Sequence, residues 1–125
     1  MPDIAFVLFA AAVLCVFCGM LWGIQMSVSG NHMLDSAHAY LNLVGWSTLA
    51  LFGIYYRLTP SANGREMARV HAGVAILGVI VMVPGIAIVV QGGTPAFAAA
   101  GTVLTPTSMA IFFLTALRHG FGMRA

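Results

Sequence analysis

Residues 36–58 read SAHAYLNLVGWSTLALFGIYYRL, an apolar run with no charged side chain before Arg57. A run of this length can cross the hydrocarbon core of a bilayer, which needs roughly 20 residues of helix. Its one histidine, His38, stands near the start of the run, where lipid offers the ring nitrogens no hydrogen bond. The sequence therefore predicts a membrane helix whose histidine hydrogen-bonds, pairs with a charge or ligates a metal.

The rest of the chain has the same apolar character. Of its 125 residues, 61% are hydrophobic and 6% are charged, whereas about 25% of the residues in soluble domains are charged. The runs long enough to span a bilayer are Ile4 to Val28, Ser36 to Leu58, Arg69 to Gln91 and Phe97 to Leu117. We therefore predict an all-α membrane protein, in which residues 1–125 form a single antiparallel bundle of four transmembrane helices.

The basic residues indicate how the bundle is oriented. They are Arg57, Arg65, Arg69, Arg118 and Arg124, which flank the second loop and the C-terminus. The positive-inside rule then predicts a bacterial-type inner (plasma) membrane protein with both termini in the cytoplasm. Asp3 has the wrong sign for the start of a signal peptide, so the first run is interpreted as a span. A net charge of +2 is too small and too dispersed to predict nucleic acid binding.

One face of the second run combines polar, small and aromatic residues. Steps of three or four residues from His38 meet Asn42, Gly45, Leu49, Phe52 and Tyr56. This face is predicted to look into protein. Gly45 could leave room beneath His38 for a large flat group. Alternatively, His38 hydrogen-bonds to Asn42 or another helix, and Gly45 allows close helix approach; the residues themselves do not decide between these interpretations.

Two other sets of side chains can ligate metals. His71 begins the third run, close to Arg69 and the membrane interface, where an interfacial or hydrogen-bonded role is favoured over metal ligation. Cys15 and Cys18 lie one helical turn apart in the first run and are interpreted as small apolar side chains. A strained disulfide and a metal site completed by other residues are the alternatives for the pair.

From His38 to Trp46, and again from Leu51 to Leu58, the chain resembles the second helix of the catalytic subunit of haem-copper oxidases and nitric-oxide reductases. In that family the helix begins at the outer face, and its histidine is an axial ligand of the low-spin haem. The resemblance therefore implies a haem b whose iron is ligated by His38. The residues that it places at the cofactor are His38, Asn42, Gly45 and Trp46.

The family subunit has twelve helices in three pseudo-repeats of four, so the resemblance implies a homotrimer with haem between neighbouring copies. The chain departs from the family at its copper site. It lacks the set formed by an adjacent pair of histidines and a further histidine on another helix. Tyr40 also stands where the family has the histidine that serves its active-site haem. We therefore expect electron transfer with a respiratory-chain partner, or haem-dependent sensing, and no enzymatic reduction of oxygen.

A copper-handling membrane protein is an alternative. Soft thioether and thiolate ligands suit Cu(I). The candidate ligands are the thioethers of Met20, Met26 and Met33, the thiols of Cys15 and Cys18, and the imidazole of His32.

A non-catalytic accessory or assembly subunit of a respiratory complex is a further alternative. Such a subunit would pack through its glycine-rich faces, of which Gly19 and Gly23 form one example. Small residues four apart let two helix backbones approach, so ordinary packing inside the bundle explains this pair equally well.

Overall fold

A computed structural model describes residues 3–123, which leaves Arg124 of the predicted cytoplasmic tail outside the described residues. The described part is helical and contains no β-strand, as predicted. The elements are α1 (Ile4–Ser29), α2 (Asp35–Tyr40), the π-helix π1 (Leu41–Thr48), α3 (Leu49–Leu58), α4 (Glu66–Val90) and α5 (Ala96–His119). Three of them, α1, α4 and α5, are long and apolar enough to cross a membrane.

The predicted second span folds as three consecutive elements, α2, π1 and α3, which we call the composite helix. The backbone stays right-handed helical at both junctions, with φ and ψ of −57° and −44° at Leu41 and of −65° and −37° at Leu49. Within π1 the helix widens, and the hydroxyl of Thr48 donates to the carbonyl of Leu43, five residues earlier, at 3.1 Å. The four-span arrangement stays a prediction, because none of the three elements is long enough to span by itself.

The helices pack in two closely associated pairs. α1 lies along π1 and α3, α4 lies along α5, and α2 joins the pairs through its contacts with α4. Glycines permit the close approaches: a Cβ at Gly53 would lie 2.9 Å from the carbonyl oxygen of Ala5, and one at Gly85 would lie 2.6 Å from the nitrogen of Ala98. The largest fully buried side chains are Tyr56, Phe52, Leu8, Leu49, His71 and Thr59.

Much of the outer surface is apolar, which fits contact with a lipid bilayer. On α1, for example, the side chains of Leu14, Met20 and Ile24 are each more than half exposed. A soluble monomer rarely exposes contiguous apolar surface on this scale.

Both ends of the described chain meet the second loop at one end of the bundle, which we call the arginine end. Arg57 lies 3.2 Å from the carboxylate of Asp3. The hydroxyl of Tyr55 donates to the carbonyl of Gly120 at 2.6 Å. The amide of Gly122 donates to the hydroxyl of Thr59 at 2.9 Å. This arrangement agrees with the shared side inferred from the arginines, while the identity of that side stays a prediction.

Candidate functional site

His38 lies on α2 with its ring half-buried against α1. Its Nε2 atom is 2.9 Å from the carbonyl oxygen of Gly19. A carbonyl oxygen can only accept, so the hydrogen is on Nε2 and the lone pair of the neutral ring is on Nδ1. Metal-ligating histidines commonly donate their second ring N–H to a carbonyl in this way, which fixes the orientation of the ring.

Two further residues of α1 hold the imidazole of His38. Trp22 meets the ring edge to face, with centroids 5.6 Å apart and planes at 86°. A Cβ at Gly23 would lie 3.5 Å from Nε2, so the ring rests on the surface that this glycine leaves open. Gly19 and Gly23 therefore provide close packing between α1 and the composite helix.

The space around Asn42 and Gly45 is filled by α1. A Cβ at Gly19 would collide with the side-chain amide of Asn42. A Cβ at Gly45 would lie 3.0 Å from the sulfur of Cys15. Within one copy, Gly45 thus serves close helix approach, and the room for a flat group that one interpretation of the sequence expected beneath His38 is occupied.

π1 contains three of the four residues that the resemblance placed at the cofactor. Asn42, Gly45 and Trp46 all lie within it, and Trp46 is half-buried against the core. π-helical turns occur often at functional sites, because the slipped hydrogen-bond register re-aims the side chains. The neighbourhood of His38 is therefore the part of the composite helix with unusual backbone geometry.

His71 is not at an interface but in the core, and its residue is 0% exposed. Its Nδ1 is 2.7 Å from the hydroxyl of Tyr56. Phe52 lies 4.5 Å from the ring and Phe112 stacks on it at 5.7 Å, between centroids. The backbone of Ser108 faces the ring, but no group in residues 3–123 makes a well-formed hydrogen bond with Nε2.

His38 and His71 are too far apart to share an ion. The contact between Tyr56 and His71 places His71 beside the arginine-end half of the composite helix. Residues 38 and 56 are separated by roughly 25 Å along that helix, at about 1.5 Å per residue. His38 is therefore brought together with Trp22 and the Gly19 carbonyl, and not with the second predicted histidine.

Cys15 and Cys18 are not joined to each other or to any other cysteine. Cys15 is half-buried against Gly45, Cys18 is exposed, and both are free thiols. Across residues 3–123, no three His, Cys, Asp or Glu side chains are close enough together to hold a metal ion. The apolar role expected for the pair fits their surroundings.

Three cavities of residues 3–123 are lined by side chains other than His38. One of about 470 Å³ opens at the arginine end between α4 and α5. Another, of about 250 Å³, lies between α1 and α3, and a third, of about 130 Å³, is lined by Trp22, Met26 and Met33. His38 lines none of these three. None of these three cavities therefore places a porphyrin directly against His38.

Comparison with known protein families, curated proteins and solved structures finds no match for this chain. The resemblance to haem-copper oxidases therefore depends on the residues of the composite helix and, loosely, on those from His71 to Gly78.

Most of the helix glycines that could pack against a partner protein already pack against other helices of this chain. Gly78 faces Thr105, and Gly101 faces Met82, with a Cβ at Gly101 only 2.7 Å from the sulfur. Gly73 differs, because it is exposed and a Cβ there would meet nothing within 4 Å. The glycine-rich faces on which the accessory-subunit alternative depends are thus largely covered by the bundle itself.

Proposed function

We propose that the protein binds haem b in a membrane, with His38 as an axial ligand at a site completed by a second copy of the chain. The observation that supports this is the 2.9 Å contact between Nε2 of His38 and the carbonyl oxygen of Gly19. Because Nε2 donates to the Gly19 carbonyl at 2.9 Å, the other nitrogen keeps its lone pair and the ring keeps one orientation. A ligand for iron needs both properties.

The surroundings of His38 favour a site shared between copies of the chain. Since α1 fills the space at Asn42 and Gly45, a porphyrin can reach His38 only from the outer surface of the bundle. A symmetric oligomer would cover that surface with a neighbouring copy. The assembly proposed is a homotrimer in a bacterial-type inner membrane, with the composite helix as a fourth span and the arginine end in the cytoplasm.

A bound haem b would supply one-electron redox chemistry to the protein. The chain itself would contribute the imidazole, the apolar surroundings that tune the potential, and the carbonyl that holds the ring. The task proposed is electron transfer or haem-dependent sensing, with a respiratory-chain redox partner in the first case. The family's full set of copper ligands is absent from the sequence, and Tyr40 stands where its second histidine would be.

An absorption spectrum of the purified oligomer tests the proposal. Protein from haem-replete cells should show a Soret band that shifts on reduction, and His38→Ala should lose it. Added imidazole should restore part of the band in His38→Ala, which separates a missing ligand from a misfolded chain. His32→Ala is the matched control, because His32 is exposed beside Asp35 at 3.5 Å and should keep the band. A colourless wild-type protein would refute haem binding.

Copper handling is a second candidate, since two thioethers line one cavity. Met26 and Met33 both face the cavity of about 130 Å³ beside Trp22, and thioethers suit Cu(I). Metal analysis after mild purification should then find copper and no iron. Met26→Leu with Met33→Leu should lose the copper, whereas Met20→Leu, on the exposed surface of α1, should retain it.

A further inference from the structure

The largest of the three main cavities lies at the arginine end, away from His38. It measures about 470 Å³ and opens between the start of α4 and the end of α5. Its lining includes Arg65, Met67, Leu114, Thr115 and Arg118. The cavity thus combines cationic and apolar side chains at one end of helices that can span a membrane.

The charged side chains in the lining of this cavity are basic. Arg65 and Arg118 line it, and no Asp or Glu of residues 3–123 does.

Arg65 is well placed to contact an anion. Its Nε donates to the carbonyl of Ser61 at 3.1 Å, which anchors the guanidinium at the start of α4. Guanidinium groups bind phosphate oxygens through paired N–H donors, so an anchored arginine at this position favours a phosphate.

The apolar part of the cavity extends along the outer surface of the helices. Met67 is 54% exposed, Leu114 is 65% exposed and Leu117 is 68% exposed. These side chains face outward on helices that can span a membrane, beside the two arginines. An occupant that matches both parts has an anionic head and a hydrocarbon tail.

We propose that the cavity binds an acidic glycerophospholipid. Its phosphate would lie at Arg65 and Arg118, and an acyl chain would run along Met67 and Leu114. Basic pockets between helices at a membrane surface recognise such head groups, and each Lys or Arg near the surface contributes about 1 kcal/mol, equivalent to about fivefold in affinity. The lipid would bind here whether or not a haem binds at His38.

Lipid retention by the full-length protein in mild detergent tests the inference. Dioleoyl phosphatidylglycerol and dioleoyl phosphatidylcholine are titrated separately, and bound lipid is counted by native mass spectrometry. Phosphatidylglycerol should bind about 25-fold more tightly, because two arginines engage its head group. Equal binding of the two lipids would overturn the proposal.

Single variants locate the site. Arg65→Gln and Arg118→Gln should each weaken phosphatidylglycerol binding about fivefold, and Arg65→Lys should retain most of it. Arg69→Gln is the matched control, because Arg69 carries the same charge at the same end but does not line the cavity. If Arg118→Gln fails to fold, Arg65→Gln tests the site alone. An equal loss in Arg69→Gln would show diffuse attraction in place of a site.

A soluble head group completes the test. sn-Glycerol 1-phosphate at millimolar concentration should not displace the lipid, because it lacks the chain that contacts Met67 and Leu114. Displacement by it would identify a site for soluble phosphates and would overturn the lipid assignment.

Discussion

His38 and His71 both lie within the first two turns of a helix, but their surroundings differ. His38 is half-buried, and its Nε2 donates to the Gly19 carbonyl of another helix. His71 is fully buried, and its Nδ1 meets the hydroxyl of Tyr56 at 2.7 Å. A histidine in an apolar chain is therefore not a cofactor ligand by position alone. Its partners decide whether a nitrogen remains available or whether the ring serves the core.

Truncation of the two histidines should lower the free energy of unfolding by different amounts. His71→Ala should lower the free energy of unfolding by about 3–5 kcal/mol, because it opens a cavity between aromatic rings and removes the imidazole partner of the buried Tyr56 hydroxyl. His38→Ala should cost only about 1–2 kcal/mol, since one hydrogen bond of a half-buried ring is lost. The measurement is unfolding in detergent, followed by circular dichroism.

The absorption spectrum should rank the same two variants in reverse order. His71→Ala protein that is still folded should keep the Soret band, and His38→Ala should lack it. A Soret band that disappears only in His71→Ala would transfer the proposed haem site to the Tyr56 region.

The inward face of the composite helix could be predicted from the sequence. The period of three to four residues from His38 predicts a buried face, and Gly45, Leu49, Phe52 and Tyr56 are all buried. The π-helical turns within it could not be predicted, because neither proline nor a local glycine pair marks them. These turns pack against α1, and the sequence does not mark such tertiary contacts.

The burial of His71 could have been predicted with one more step. α3 ends at Leu58 and α4 begins at Glu66, so Tyr56 and His71 lie a few residues from the same loop on antiparallel neighbours. Residues at similar distances from a short connection between antiparallel helices face one another. The hydroxyl of Tyr56 is therefore expected beside the imidazole of His71. Proximity to Arg69 favoured an interfacial or hydrogen-bonded role, and the hydrogen bond to Tyr56 is present. The depth of burial was not predicted, because the sequence does not show how residues 59–65 cover this end.

Substitutions at two glycines test the contact that holds His38. Gly19→Ala should lower the free energy of unfolding by about 1 kcal/mol, because the new Cβ collides with the Asn42 amide, which must rotate away. The Soret band should shift as well, since the Gly19 carbonyl accepts from His38. Thermal unfolding and the oxidised spectrum measure both effects.

Gly73→Ala is the control for Gly19→Ala, at a glycine two residues from His71 on α4. A Cβ at Gly73 meets nothing within 4 Å, and alanine favours a helix over glycine, so stability should rise by up to about 1 kcal/mol. The spectrum should stay unchanged. If Gly19→Ala has the same stability and spectrum as Gly73→Ala, the surface of α1 at His38 can accommodate an added methyl group, and the contact is not close-packed.

The smallest expected effect is at the arginine end, where the carboxylate of Asp3 joins α1 to α3 and to the second loop. The backbone N–H of Phe6 donates to it at 2.9 Å, and the amide of Asn63 donates at 3.0 Å. These hydrogen bonds, together with the nearby Arg57, lower the pKa of Asp3 below its ordinary value of 3.8. A lowered folded-state pKa contributes stability above the unfolded-state pKa, and this contribution disappears as the pH falls through the folded-state pKa.

Asp3→Asn should therefore melt slightly below wild type at neutral pH, and the two curves should converge in acid, below pH 3.8. The difference should be small because the carboxylate is at the surface and is screened by solvent. Asn63→Ala, which keeps the charge but removes one donor, should fall between them. Melting temperatures from neutral to acidic pH, in an uncharged detergent, measure the effect. A gap that stays constant across this range would contradict the prediction, because it would mean that the ionisation of Asp3 does not contribute to stability.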